Sequence, residues 1–397
     1  MPEDDSMRNV YALGAVSFFT DVSSEMVFSL LPVFILGLPG GNRALLGLIE
    51  GTAEALSYGL RAVSGYFSDR FRKRKAIVLT GYALSNVVKP LFAVASTALD
   101  AFVIRVADRV GKGVRTAPRD ALISESVPRG RRGTAFGVHR ALDQLGAILG
   151  PVIASAAMLA LGMTARDVFW LSLIPGTAAL IVILFFVQER AGGAGGEFRP
   201  LEGLRGVLTA DFSRLLLVVG LFSLGAFNFS FVLLNAGEFG VGAPLIPIVY
   251  AVVNVTHTAI AIPAGALSDR IGKEKVLVMG YGVFLASALL IKFSPRGLPA
   301  AYLIAAVFGL YMGVVETVQR ALVPGYAGPG LRGTAYGVYY LVVGSAFFVA
   351  NSVVGALWEL YGSTAASLYS VASSTIAIAA MLVFLTKRAN RNREGPA

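Results

Sequence analysis

The chain repeats itself at a spacing of 200 residues. The segment Gly-Tyr-Phe-Ser-Asp-Arg at 65–70 returns as Gly-Ala-Leu-Ser-Asp-Arg at 265–270, and Arg-Gly-Thr-Ala-Phe-Gly-Val at 132–138 returns as Arg-Gly-Thr-Ala-Tyr-Gly-Val at 332–338. Two separate matches at one offset indicate a duplicated half. Both copies lie between long apolar runs, so we predict that the duplicated unit is a bundle of membrane helices.

The composition agrees with this prediction. Hydrophobic residues make up 55% of the chain and charged residues 15%, whereas a soluble domain carries about 25% charged residues. The chain has no Cys and two His, which excludes disulfides and thiolate metal sites, so we predict no metal and no cofactor. The first residues lack a basic stretch followed by a small-residue cleavage site, so we expect no cleaved signal peptide.

Twelve apolar runs are long enough to cross the roughly 30 Å hydrocarbon core as helices. We name them spans 1 to 12, at residues 10–38, 44–68, 76–97, 99–124, 134–161, 167–188, 212–236, 243–267, 275–293, 298–322, 333–361 and 363–387. Span 4 is rich in charge, and we include it because the repeat requires a counterpart for span 10.

These spans predict an all-α membrane protein with twelve transmembrane helices in two pseudo-symmetric six-helix bundles. The N-terminal bundle is expected at 1–188 and the C-terminal bundle at 212–397. The segment 189–211 contains several glycines and charges, which is typical of a flexible linker.

Lys and Arg concentrate in the loops on one side of the predicted bundles, at 70–75, 129–132, 190–205, 270–275 and 387–393. Basic loops remain on the cytoplasmic side. We therefore expect a multi-pass protein of the cell (inner or plasma) membrane with both termini in the cytoplasm. The net charge of +10 is explained by this bias and by contact with membrane lipids, and no nucleic-acid partner is expected.

Two loops carry a Gly-x-x-x-Asp-Arg motif, which consists of Gly65, Asp69 and Arg70 after span 2 and of Gly265, Asp269 and Arg270 after span 8. A glycine lets a helix end pack closely against a neighbour, and an Asp can cap a helix or pair with an Arg. We predict that these residues take part in gating. The alternative is that they only supply the positive charge that fixes the orientation.

Two further motifs lie inside spans. Span 4 has Arg-x-x-(polar)-Gly from Arg109 to Gly113, and span 5 has Gly-x-x-x-Gly-Pro, formed by Gly146, Gly150 and Pro151. With the loop motif and the twelve repeated spans, they resemble the major facilitator superfamily over nearly the whole chain. The span 5 motif resembles that of drug/proton antiporters, which implies export by alternating access and a gating role for these glycines; ordinary helix packing is the alternative.

Ionisable side chains inside a membrane are expensive, and each is therefore a functional candidate. Most of them lie in the first half of the chain. They include Lys89 in span 3 and His139, Arg140 and Asp143 in span 5. The residues that we predict for proton coupling or substrate binding are Asp21, Glu25, Glu50, Glu54, Arg105, Asp108, Arg109, Lys112 and Glu316.

The rise of a helix, about 1.5 Å per residue, gives the depth of each charge. Asp21 should lie near the midplane, level with Arg109 and Lys112, so a carboxylate–cation pair between Asp21 and one of these cations is the leading candidate. Glu316 stands alone among apolar residues in span 10 and is a second protonation candidate. The alternative is a static network of ion pairs that joins the helices.

Arg119 and Asp120, near the cytoplasmic end of span 4, are expected to pair with Asp69 or Arg70 as an inner gate. The helix is expected to kink or end nearby, because Pro118 precedes them.

These residues leave three functions open. The first is proton-coupled export of a small amphiphilic or cationic solute by a monomer. The second is transport of an organic or inorganic anion by the Arg and Lys residues of span 4. The third is a membrane sensor or lipid-handling protein of the same fold. No metalloprotease, nucleotide-binding or nucleophile motif is present, so we expect no enzyme and no ATP-driven pump.

Overall fold

The computed structural model describes residues 3–71, 73–189, 204–327 and 331–393, and in this part of the chain it contains helices and turns but no strand. The helices follow the twelve predicted spans in order. Spans 1 to 6 are Glu3–Phe28 with Leu31–Leu36, Arg43–Phe71, Arg74–Val88 with the 3₁₀ turn Lys89–Val94, Ala98–Ser126, Arg132–Leu161, and Ala165–Leu171 with Leu173–Phe186. Spans 7 to 12 are Ala210–Ser223 with Phe229–Glu238, Ile246–Ile271, Lys273–Phe293, Leu298–Leu322, Arg332–Tyr361 and Ser363–Arg393. Most of the predicted linker lies outside the described residues. Its described part contains the short helix Leu204–Val207.

Nine of these helical stretches within the described residues are long and apolar enough to cross a membrane by themselves. The other three are spans 2, 4 and 7. Spans 2 and 4 carry several charged residues, and span 7 is divided into two shorter helices. Span 4 nevertheless forms one helix, Ala98–Ser126, because Thr97 and Asp100 cap its start reciprocally and because Pro118 is accommodated inside it. The repeat predicted this helix, whereas hydropathy alone did not.

The chain divides into two compact units. The first comprises residues 1–42, 52–198 and 242–251, and the second comprises 43–51, 199–241 and 252–397. The start of span 2 thus groups with the second unit, and the start of span 8 groups with the first.

The first unit has an apolar core that includes Leu13, Val78, Tyr82, Ile123 and Ile183, all of them fully buried. Its most extensive helix pairing joins span 1 to span 5. Two glycines of span 5 permit this approach. A methyl group on Gly146 would collide with the Phe18 carbonyl oxygen, and one on Gly150 would lie 2.7 Å from the Val22 carbonyl oxygen.

The second unit is built around stacked aromatic rings. The Phe222 ring stacks on the Tyr281 ring with their centroids 3.7 Å apart. The Phe284 and Tyr311 rings are tilted relative to each other, and their centroids are 4.7 Å apart. Such aromatic pairs add about 0.5–1.5 kcal/mol beyond the area that they bury. This core therefore stabilises the unit by apolar and aromatic contact.

The interruption of span 7 between Ser223 and Phe229 has capped backbone groups. The Tyr369 hydroxyl donates to the Leu224 carbonyl oxygen at 2.6 Å, and the Ser373 hydroxyl donates to the Leu221 carbonyl oxygen at 2.7 Å. The Asn228 amide N–H donates to the Asn351 side-chain oxygen at 2.8 Å. Side chains from spans 11 and 12 therefore replace hydrogen bonds that a continuous helix would make within itself.

Replacing Gly146 by alanine is expected to lower the free energy of unfolding by about 1–3 kcal/mol, because the new methyl group meets a backbone oxygen in a packed contact. Gly137 on the same helix is the matched control, since no atom lies within 4 Å of the position of its missing Cβ. Thermal unfolding of the detergent-purified variants measures the difference. Equal losses for Gly146→Ala and Gly137→Ala would contradict the packing argument.

Candidate functional site

The first unit contains a polar interior formed by spans 1, 3, 4 and 5 and by the start of span 8. Lys89 and Arg105 are fully buried, and Asp108 and Arg109 are 2% and 3% exposed. Ionised side chains are rarely buried unless they are paired or functional. This concentration of buried charge makes the interior of the first unit the candidate site.

Two carboxyl groups meet where span 5 packs against span 1. The Asp21 and Asp143 side chains lie within hydrogen-bonding range of each other. The Ser17 hydroxyl donates to Asp143 Oδ1 at 2.7 Å, and Arg140 Nη1 donates to Asp143 Oδ2 at 3.0 Å. Asp143 therefore interacts with Ser17, Arg140 and Asp21.

Glu25 lies one helical turn beyond Asp21 on span 1. The Tyr250 side chain, at the start of span 8, is hydrogen-bonded to the Glu25 carboxylate and is 5% exposed. A methyl group on Gly150 would lie 3.1 Å from Glu25 Cβ. Gly146 stands in the same relation to Asp21 Cβ, so the span 5 motif sets the surroundings of both carboxylates.

Two arginines of span 4, Arg105 and Arg109, contact carboxylates and one aromatic ring. Arg105 Nη1 lies 3.8 Å from Asp108 Oδ2, and Arg109 lies 3.9 Å from Asp108 and 3.9 Å from Glu54. Both guanidinium groups lie over the Phe28 ring, at 3.9 and 5.2 Å from its centroid. These contacts give the cluster both charge pairing and cation–π attraction.

Lys112 occupies a different position from the two arginines. It lies within electrostatic reach of Asp21, Glu25 and Glu54, but in the described part of the chain it forms no close ion pair. The sequence predicted that Asp21 would pair with Arg109 or Lys112. In the structure Arg109 pairs with Asp108 and Glu54 instead, and Asp21 contacts Asp143, because the glycines of span 5 bring Asp143 next to span 1.

Two of the predicted coupling residues, Glu50 and Glu316, group with the second unit. Glu50 is 1% exposed. Glu316 was expected to stand alone, but it pairs with Arg320 one turn later, at 3.2 Å and with a side chain that is 38% exposed. The one-turn spacing of the two residues in the sequence already allowed this pair.

The predicted gating residues are only partly described. Arg119 binds Asp120, with 2.8 Å between Nη2 and Oδ1, so the two neighbours pair with each other. The side chains of Asp69 and Arg70 and the surroundings of Gly65 lie outside what the structure describes, and the expected inner gate stays a prediction. In the second copy, Asp269 pairs with Lys273 at 3.3 Å on the surface, and Arg270 is exposed. A methyl group on Gly265 would lie 3.6 Å from Thr317 Cγ2, which is an ordinary contact distance, and Pro151 is buried within its helix.

Several residues of the site were not among those predicted for function. Asp143 and Lys89 were noted as membrane charges, and a charge at that depth was the signal that could have identified them. Tyr250 gave no signal, because nothing in a single sequence distinguishes it from other membrane tyrosines. Ser85 was missed as well, and its hydroxyl donates to Asp108 Oδ1 at 2.6 Å.

The described residues contain no group of three or more His, Asp or Glu side chains that could hold a metal ion. Comparison with known proteins agrees with a transporter fold. The family model for the Major Facilitator Superfamily matches residues 13–208 and 215–397.

Two relatives and one solved structure illustrate the likeness. An uncharacterised transporter of this superfamily type from Methanocaldococcus jannaschii is 35% identical over 345 residues, which are 85% of each chain. Multidrug resistance protein MdtG of Proteus mirabilis is 25% identical over 72% of this chain and 73% of its own. The crystal structure of the nucleoside transporter NupG has a TM-score of 0.78 at 13% identity, over 95% of this chain and 98% of that one, which shows a shared fold. Family and fold are those of transporters, which are not enzymes.

Replacing Tyr250 by phenylalanine is expected to lower the free energy of unfolding by about 1–3 kcal/mol, because a buried carboxylate loses a hydrogen-bond donor. The control is Tyr11→Phe, since Tyr11 is 55% exposed. Thermal unfolding in detergent compares the two variants with the parent protein. If both variants unfold at the temperature of the parent protein, the hydrogen bond between Tyr250 and Glu25 does not stabilise the fold.

Proposed function

Because the chain belongs to the major facilitator superfamily, whose members are membrane transporters, we propose that it is a proton-coupled exporter of small amphiphilic or cationic solutes that works by alternating access. The observation that carries this proposal is the contact between the Asp21 and Asp143 carboxyl groups. Neither residue needs a cofactor for the role that we assign to it.

The contact supports proton binding for a simple chemical reason. Two ionised carboxylates at hydrogen-bonding range repel each other, whereas a pair that shares one proton forms a hydrogen bond. The pair can therefore hold one proton and release it when the contact opens. Arg140, on span 5, and Ser17, on span 1, both bind Asp143, so separation of spans 1 and 5 at this point would break the Ser17 bond together with the carboxyl pair.

An organic cation would compete with that proton. Asp21 and Glu25 are on one face of span 1. Two carboxylates on one face attract a cation by charge. Entry of the cation would replace the shared proton at Asp21, so cation and proton would be exchanged across the membrane. The likeness to a multidrug resistance protein, at 25% identity, also favours export.

A second candidate function is transport of an anion by the span 4 cations. It is favoured by Lys112, which lies near three carboxylates but has no close ion pair in the described residues. It is disfavoured by the engagement of Arg105 and Arg109 with Asp108 and Glu54. Transport of an anion would require these pairs to open.

We also propose the setting in which the exporter acts. The basic loops favour a cell-membrane protein with both termini in the cytoplasm, and the repeat favours two six-helix domains, 1–188 and 212–397, joined by the linker 189–211. The solute and the proton would be its small-molecule partners, with lipids around a monomer.

The test of function compares two probe ions of the same shape and opposite charge, tetraphenylphosphonium and tetraphenylborate. The cation is expected to raise the unfolding temperature of the purified protein more near pH 8 than near pH 5.5, because protons compete with it at low pH. A ligand at about 100 times its Kd adds about 2.7 kcal/mol to the free energy of unfolding. Asp21→Asn and Asp143→Asn should abolish the pH dependence, whereas Asp211→Asn, in a surface pair with Arg214, should keep it.

The same measurement decides between the candidates. Stabilisation by tetraphenylborate alone, removed by Lys112→Gln, would replace the cation exporter by the anion transporter. Stabilisation by the cation that is independent of pH in the parent protein would refute proton competition at the Asp21–Asp143 pair.

The proposed orientation is tested by cysteine labelling, for which the chain needs no prior engineering because it has no Cys. Ser96→Cys, exposed between spans 3 and 4, should react in intact cells with a maleimide that cannot cross membranes. Lys73→Cys, exposed between spans 2 and 3, should react only after the cells are opened. The reverse pattern would invert the topology, and labelling of both in intact cells would exclude a span between them.

A further inference from the structure

Lys89 is a buried cation that the proposed exchange of proton and solute does not use. It follows the helix Arg74–Val88, begins the 3₁₀ turn Lys89–Val94 and precedes Pro90. Its side chain is fully buried. An ammonium in such a place must have strong partners, because burial of an isolated charge is very unfavourable.

The partners of Lys89 are three neutral oxygens. Its Nζ donates to Ser24 Oγ at 2.6 Å, to Asn86 Oδ1 at 2.9 Å and to the Thr20 carbonyl oxygen at 3.4 Å. An ammonium has three N–H donors, and each has one acceptor here. In the described residues no carboxylate forms a close ion pair with Lys89; Asp108, Asp21 and Glu25 act on it only at longer range.

Hydroxyl, amide and carbonyl oxygens are the ligands that hard cations prefer. The oxygens around Lys89 are also held in place by other contacts. Asn86 Nδ2 donates to Thr20 Oγ1 at 3.3 Å, which turns the amide oxygen toward Lys89. Span 6 closes the arrangement, because a methyl group on Gly176 would lie 3.3 Å from Asn86 Cβ and 3.3 Å from Ser23 Oγ. We name Thr20, Ser24 and Asn86 the oxygen nest.

The oxygen nest adjoins the two carboxylates of span 1 within the candidate site. Thr20 and Ser24 immediately precede Asp21 and Glu25 in span 1. Whatever holds Thr20 and Ser24 therefore fixes the height and rotation of the two carboxylates. Lys89 holds both of them from span 3.

We propose that the oxygen nest is a monovalent-cation site that the chain fills with its own Lys89 ammonium, and that this internal cation fixes the positions of Asp21 and Glu25. The first half of the proposal is independent of the proposed export. The second half rests on it, because it assigns Lys89 as a positioning residue for the carboxylates of that function.

Chemical rescue tests the first half. Lys89→Ala empties the site and should lower the unfolding temperature, and millimolar ethylammonium or propylammonium should restore it. Neutral propanol and the larger tetramethylammonium should not. The control variant is Lys292→Ala, a lysine over the Phe293 ring near the end of span 9, which should respond to none of these additives.

Lys89→Met separates charge from volume, because methionine fills similar space without a positive charge. It should be destabilised like Lys89→Ala and should not respond to alkylammonium ions. If Lys89→Ala does not fold, the comparison of Lys89→Met with the parent protein still decides whether charge is needed. Restoration of Lys89→Ala by propanol, or parent-like stability of Lys89→Met, would overturn the cation site.

Binding of tetraphenylphosphonium tests the second half. Loss of a residue that orients a metal ligand typically weakens metal binding by about 10–100-fold, and at the low end of that range we expect Lys89→Met to raise the Kd of the probe by about tenfold. Propylammonium should return Lys89→Ala to the parent Kd. An unchanged Kd in Lys89→Met would overturn the positioning role. If the probe does not bind the parent protein, the export proposal fails, and the rescue of stability still decides the cation site.

Discussion

Spans 1 and 5 contact each other through their backbones because residues 146 and 150 have no side chain. The rest of the candidate site depends on this contact. It brings Asp143 to Asp21, and it leaves Glu25 beside the helix rather than against a bulky neighbour. A motif that looks like a gating signature in the sequence thus acts first as a packing device, and the position of the charges follows from the packing.

Much of the architecture was predicted from the sequence, because long apolar runs and a repeat are strong signals. Span 4 shows how the two signals combine. Its charges lower its hydropathy below that of a typical transmembrane helix, but its counterpart in the repeat, span 10, is apolar enough to be recognised. The interruption of span 7 was not predicted, because its caps come from Asn351, Tyr369 and Ser373, more than a hundred residues away.

The pairing of the charges was harder to predict than their presence. Depth along a helix can be counted, so Asp21, Arg109 and Lys112 were expected at one level of the membrane. The rotation of one helix relative to another cannot be counted in this way. Asp21 contacts Asp143 and not Arg109 because span 5 packs closely against span 1 at Gly146, and this contact depends on tertiary packing. Glu316 shows the opposite case, since its partner Arg320 is one turn away on the same helix.

The capped interruption of span 7 has a consequence for how the sequence can vary. Backbone groups that leave a helix within a membrane must find a partner, because lipid offers none. Here the Leu221 and Leu224 carbonyl groups depend on one hydroxyl each. Ser373 and Tyr369 are therefore constrained by the interruption of span 7, which is far from them in the sequence. Residues 369, 373 and 221–228 should co-vary across related chains.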